Sequence, residues 1–147
     1  MNHYHLFPDV SPQESADYLA KKLACYTDAA DLAEDLRQQN PQIVVLDVRA
    51  LPLYEQGHIP GAVSFPHRTM TGETLAALDP QKLYITYCDG IGCNGSTKGA
   101  LKLARAGFYV RELSGGLDFW QRDNLPVTRG LPPGRWPVAD AGGECGC

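Results

Sequence analysis

Leu83-Tyr84-Ile85-Thr86-Tyr87-Cys88-Asp89-Gly90-Ile91-Gly92-Cys93-Asn94-Gly95-Ser96 decides the reading of this chain. A β-prone run ends in a cysteine, and a glycine-rich loop follows. Residues 95–106 then carry one helical apolar face, from Ala100, Leu103 and Ala104, and Gly107 is placed to stop it. Strand, loop and helix in that order put Cys88 at the carboxyl end of a strand, where open α/β sheets bind ligands. Loop amides can form an anion-binding nest there, and the helix start adds roughly half a positive charge. A thiolate in such a cradle has a pKa well below the free value of about 8.5. Gly90, Gly92 and Gly95 let the backbone turn inward without side-chain clashes. The plain alternative is that Cys88 is a small buried residue at a strand end.

On the amino-terminal side, Ile43-Val44-Val45-Leu46-Asp47-Val48 is a continuous apolar run, as expected for a strand covered on both faces. Ser11-Pro12-Gln13-Glu14 is a capping-box helix start, and Ala16, Leu19, Ala20 and Leu23 predict one buried face. A short strand is expected at 24–26, with Cys25 buried in it. Thr27 is expected to cap a second helix with Ala29, Leu32, Ala33 and Leu36 inward, ended by Asn40-Pro41. Gly57-His58-Ile59-Pro60-Gly61 reads as a turn, 62–65 as a strand and 73–78 as a small helix. Beyond Gly107, 108–113 reads as a strand, Gly115-Gly116 as a turn and 117–122 as a short helix. Strands alternating with helices imply an α/β fold with a mainly parallel sheet of about five strands and helices on both faces. Residues 129–147 are rich in Gly and Pro without periodicity and are expected to form a mobile tail bearing Cys145 and Cys147.

The chain has 147 residues, with 13 Lys and Arg against 17 Asp and Glu, a net charge of −4. That balance gives no electrostatic reason to expect a nucleic-acid partner. No apolar run approaches the roughly 20 residues that cross a bilayer, so no membrane partner is expected. Met1-Asn2-His3-Tyr4-His5 has neither the basic region nor the apolar stretch of an export signal, and a cytoplasmic location is expected. Five cysteines, an odd count, do not suggest a disulfide framework, and reactive thiol chemistry is the better expectation.

Four stretches, in order, resemble the rhodanese-like domain family. Leu46-Asp47-Val48-Arg49 resembles its Asp-x-Arg after the first core strand. Tyr54-Glu55-Gln56-Gly57-His58-Ile59-Pro60-Gly61-Ala62 resembles its Gly-His-Ile-Pro-Gly-Ala signature. Tyr87-Cys88 with the glycines resembles its active-site loop, and Leu113-Ser114-Gly115-Gly116-Leu117-Asp118-Phe119-Trp120 its closing motif. The resemblance implies a rhodanese-like three-layer domain over 26–128, with 1–25 as a helical extension and 129–147 as a tail. It implies a sulfurtransferase in which Cys88 carries sulfane sulfur as a persulfide, stabilised by the loop from Asp89 through Gly90, Ile91, Gly92, Cys93, Asn94 and Gly95 to Ser96. A small sulfur donor or protein persulfide would supply the sulfur, a thiol would accept it, and no cofactor or metal is implied.

Departures shape the expected chemistry. Phosphatases and arsenate reductases of this fold use Cys, five residues and Arg; here that last position is Asn94. Without a bidentate guanidinium, and with Asp89 expected to repel anions, phosphate chemistry is disfavoured and a persulfide donor suits the loop better than thiosulfate. Cys93 is a candidate resolving thiol if the Cα atoms of the two cysteines come within about 7 Å. Its plainer alternative is a small residue packed under the loop. Arg68, after a strand on the site side, is a candidate for the missing positive charge. Asp47 and Arg49 are expected to pair, with Glu55 as a third member, His58 to hold its turn and Trp120 to cap the core. Two other functions remain in play: a non-catalytic module that binds a partner or senses redox state, and an arsenate reductase or phosphatase-like thiol enzyme.

Overall fold

The computed structural model describes residues 6–137. Strands β2 (Ile43–Asp47) and β4 (Leu83–Tyr87) run parallel at its centre, with Ile43 opposite Leu83 and Asp47 opposite Tyr87. Strands β1 (Tyr26–Thr27), β3 (Val63–Ser64) and β5 (Tyr109–Leu113) complete an all-parallel sheet in the order β1-β5-β4-β2-β3. Among the described residues, six α-helices accompany it: α1 (Pro12–Cys25), α2 (Ala29–Arg37), α3 (Leu51–Gln56), α4 (Gly72–Ala76), α5 (Gly95–Arg105) and α6 (Gly116–Arg122).

Period-two alternation along the strands feeds two separate cores. Val45, Ile85, Tyr87 and Leu113 pack with Leu32 of α2 and Trp120 of α6. Leu46 and Tyr84 pack on the other face with Leu75 of α4 and Leu103 of α5. Leu103 and Trp120 are fully buried, and each such side chain contributes about 1.5–3 kcal/mol by leaving water. This is the three-layer α/β arrangement expected from the sequence. Because every strand points the same way, Asp47, Tyr87 and Leu113 end at one edge, and the cysteine loop lies there.

Several local expectations are corrected. Helix α1 runs to Cys25, so the first strand is Tyr26–Thr27 rather than 24–26, and Cys25 is exposed and unpaired. The capping box at Ser11 and Glu14 is formed. Yet the face of Ala16, Leu19, Ala20 and Leu23 is exposed: among the described residues, α1 has its main contacts at the edge strand β1 and neighbouring β5. Asp28, not Thr27, caps α2, its Oδ1 accepting from the Asp31 N–H at 2.8 Å. Helix α3 was not expected; Pro52 at its start suits a first helical turn. Of the expected mobile tail, residues 129–136 are anchored. The Gly130 N–H donates to the Glu55 carbonyl, the Pro133 carbonyl accepts from the Gly61 N–H, and Trp136 meets Trp120 edge-on. The remainder, with Cys145 and Cys147, lies outside the described residues.

Candidate active site

A buried polar brace holds the strand ends beneath the loop. The Asp47 carboxylate is fully buried and accepts from Arg49 Nη2 at 2.6 Å, Arg49 Nε at 2.9 Å and Tyr87 Oη at 2.7 Å. Tyr87 Oη in turn accepts from the Ile59 N–H at 3.1 Å, tying the Gly57–Gly61 turn to the strand before Cys88. Burial alone would disfavour the Arg49 charge, but its hydrogen bonds and attraction to Asp47, with Asp89, outweigh that and hold it protonated. Burial, reinforced by the Asp47 charge, pushes the Tyr87 phenol up, so it remains a neutral donor. The third member of the cluster is Asp89 rather than Glu55: Arg49 Nη1 donates to Asp89 Oδ1 at 3.0 Å. Arg49 thus bridges two carboxylates with one positive charge, so the Asp89 charge at the loop edge is only partly offset. His58 does hold its turn, its ring nitrogens lying 2.8 Å from the Tyr54 carbonyl and 3.1 Å from that of Pro133.

The loop itself is closed by a covalent bond. Cys88 is 5% exposed and forms a disulfide with the more accessible Cys93, their Cα atoms 6.2 Å apart. The thiolate expected at Cys88 thus exists only after reduction. Gly95 opens α5 directly behind both sulfurs: a Cβ there would lie 3.1 Å from Cys88 Sγ and 3.4 Å from Cys93 Sγ. Among the described residues, the amide found on sulfur is that of Gly95, 3.5 Å from Cys93 Sγ. The Cys88 and Asp89 carbonyls accept from the Leu117 and Asp118 N–H groups at 3.0 and 2.8 Å, which staples the loop base to α6. Gly116 makes that approach possible, with φ +58° and no Cβ to meet the Cys88 carbonyl.

Two cavities of about 260 Å³ flank the cystine, and both are lined by Cys88 and Cys93. The first is bounded by Arg49, Leu53, His67, exposed Arg68 and Asp89. Burial, with Lys102, Lys98 and Arg68 nearby, lowers the His67 pKa and keeps its ring neutral near pH 7. The second is bounded by Lys22, Tyr26, Ile91, Ser96, Thr97 and Glu112. Glu112, only 8% exposed, accepts from Thr97 Oγ1 at 2.6 Å and Ser96 Oγ at 3.1 Å. The Glu112 charge, then burial, pushes the Tyr26 phenol up.

The structure gathers most of the loop residues named from sequence. Cys88, Asp89 and Cys93 face the first cavity; Gly90, Ile91 and Ser96 line the second; Gly95 backs the sulfurs; Gly92 and Asn94 are exposed. Sequence reasoning missed the Glu112 wall, the Lys22 and Tyr26 contributions and the tie between Arg49 and Asp89. The only signal for Glu112 is a carboxylate within a short strand that also carries Arg111. Among the described residues, no group of three or more His, Cys, Asp and Glu is placed to hold a metal ion. None of the described helices is long and apolar enough to cross a membrane.

A parallel α/β sheet with a cysteine loop at its carboxyl edge defines the class. The family description of the rhodanese-like domain matches residues 28–123, and the chain belongs to that family. It is 36% identical over 109 residues to an HTH-type transcriptional regulator of Mycobacterium tuberculosis, covering 73% of this chain and 47% of that protein. It is 32% identical over 123 residues to the thiosulfate sulfurtransferase of Azotobacter vinelandii, covering 70% of this chain and 45% of that one. The chain thus spans about half the length of these curated relatives, 47% and 45%. The crystal structure of a Bacillus halodurans protein superposes with a TM-score of 0.76 at 41% identity, covering 82% of this chain and 88% of that one.

Proposed function

We propose that this chain is a sulfurtransferase that carries sulfane sulfur on Cys88. The observation that carries the reading is Cys88 at the carboxyl end of β4, lining both cavities directly in front of the α5 start. With the disulfide reduced, the Cys88 thiolate attacks the outer sulfur of a donor. The donor's sulfur–sulfur bond breaks, its thiolate or sulfite leaves, and the new bond makes a Cys88 persulfide. A thiophilic acceptor then attacks the outer sulfur and returns the thiolate. The loop from Asp89 to Ser96 and the α5 dipole stabilise the charge on sulfur. Likeness to a thiosulfate sulfurtransferase supports the reaction class.

A small or protein-borne persulfide suits this site better than thiosulfate. Arg49 is committed to Asp47 and Asp89, position 94 is Asn, and Arg68 supplies positive charge at the cavity rim. A persulfide's single charge needs fewer donors than the dianion of thiosulfate. The carrier unit proposed is residues 26–128, with 1–25 as a helical extension and 129–147 following it. A reducing cytoplasm is the compartment that would keep the cysteines as thiols.

The test is thiocyanate formation from cyanide by dithiol-reduced protein, with thiosulfate and glutathione persulfide as donors. Turnover should be greater with the persulfide and vanish in Cys88→Ala. Equal turnover by that variant and the wild type would refute the reading. It would favour the second one, a redox-sensing module, which the Cys88–Cys93 bond and the likeness to a transcriptional regulator support.

A further inference from the structure

We propose that Cys93 resolves the Cys88 persulfide, so that the protein also acts as a persulfide reductase releasing hydrosulfide. This rests on the reading of Cys88 as the sulfur carrier. The pair is already within bonding reach, with Cα atoms 6.2 Å apart across a loop separation of five residues. Both sulfurs lie against Gly95, where a side chain would crowd them, and its N–H points at Cys93 Sγ from 3.5 Å. That amide and the start of α5 favour a thiolate on Cys93. Nothing lies within 4 Å of the position a Gly92 side chain would take, so the loop next to Cys93 is open.

The step balances within the protein. The Cys93 thiolate attacks Cys88 Sγ, the inner sulfur of the persulfide. The bond between inner and outer sulfur breaks, and its electron pair leaves on the outer sulfur as hydrosulfide. The Cys88–Cys93 disulfide forms, so two cysteine sulfurs are oxidised while one sulfane sulfur is reduced. The cycle then needs a dithiol reductant. Cys88 is nearly buried and Cys93 is more accessible, so the incoming thiolate attacks Cys93 and Cys88 leaves. The second thiol of the reductant resolves the mixed disulfide. Over one turn, a persulfide and a dithiol become a thiol, hydrosulfide and the reductant's own disulfide.

The experiment uses pre-reduced protein, freed of reductant, mixed with one equivalent of glutathione persulfide. Sulfide is assayed, and intact mass is read under denaturing, thiol-blocking conditions. Wild type should release close to one sulfide per chain and end as the internal disulfide. Cys93→Ser should stop at the persulfide, about 32 Da heavier, with sulfide release lowered on the order of tenfold or more. Cys93→Ala guards against a residual effect of the serine hydroxyl and should behave alike. A wild type that holds a stable persulfide, or Cys93 variants that release sulfide as fast as wild type, would overturn the inference and leave the carrier reading standing. Failure of wild type to take up sulfur on Cys88 at all would overturn both.

Discussion

The two cavities beside the cystine are walled by opposite solutions to the same problem, a carboxylate near Cys88. On one side Asp47 is neutralised by a guanidinium that also reaches Asp89, and the group is anchored through Tyr87. On the other, Glu112 is met by two neutral hydroxyls on the first turn of α5. The first wall ties two carboxylates to one buried guanidinium and reaches back to the strand through Tyr87. The second holds its carboxylate by hydrogen bonds from the Ser96 and Thr97 hydroxyls. A charge-paired brace beneath Cys88 and a hydroxyl-bonded wall beside it thus put their carboxylates in different electrostatic settings.

The largest expected effect breaks the scaffold. Arg49→Ala leaves Asp47 charged and unpaired in the interior, which costs about 3–5 kcal/mol. Urea denaturation should show it as a lowered midpoint. A loss under about 1 kcal/mol, the range of an exposed pair, would mean the brace is not structural. Next is Gly95→Ala, which pushes a methyl against both sulfurs. Displacement of a nucleophile by about 1 Å costs on the order of a hundredfold in rate. Cyanolysis should fall by roughly ten- to a hundredfold even though alanine favours helix by about 1 kcal/mol. Unchanged cyanolysis would mean the sulfurs have room to move away from α5.

The Glu112 wall should respond more gently. Glu112→Gln keeps an acceptor for Ser96 and Thr97 and should cost about 1 kcal/mol in thermal or urea unfolding. It removes the charge that raises Tyr26, so phenolate absorbance should appear at lower pH than in wild type. An unmoved Tyr26 titration would separate the two residues electrostatically. The smallest effect concerns His67. Its folded-state pKa is lowered, so between that value and the unfolded value of about 6.5 the unfolded chain binds more protons. The resulting stability is complete above about pH 6.5 and is lost as pH falls through the folded value. An NMR titration of the ring should show a midpoint below the ordinary histidine value, and a midpoint at or above it would contradict the burial argument.

Legibility from sequence followed the range of the interaction. β2, β4 and α5 were readable because their patterns are local: an apolar run, a β-prone run and an i, i+3 face. The unit around Cys88 was readable for the same reason. Arg49 and Asp89 lie 40 positions apart, and no local pattern pairs them. Glu112 was hidden because its satisfaction comes from hydroxyls on a different element. Helix α1 misled in the opposite way: its periodicity predicted a buried face, but it sits at a sheet edge with nothing described over it. The segment 129–136 has no period because single contacts, such as Trp136 against Trp120, hold it rather than a repeating face.

The start of α6 has a consequence best put in genetic terms. Every replacement of Gly116 adds a Cβ at φ +58°, directed into the Cys88 carbonyl. In a saturation library selected for sulfur transfer, that position would return glycine almost alone, although its residue contributes no side chain to the chemistry. The codon for Gly116 is thus bound to the codon for Cys88 through a backbone oxygen. A screen that scored only side chains facing the cavities would overlook a position with this little freedom to vary.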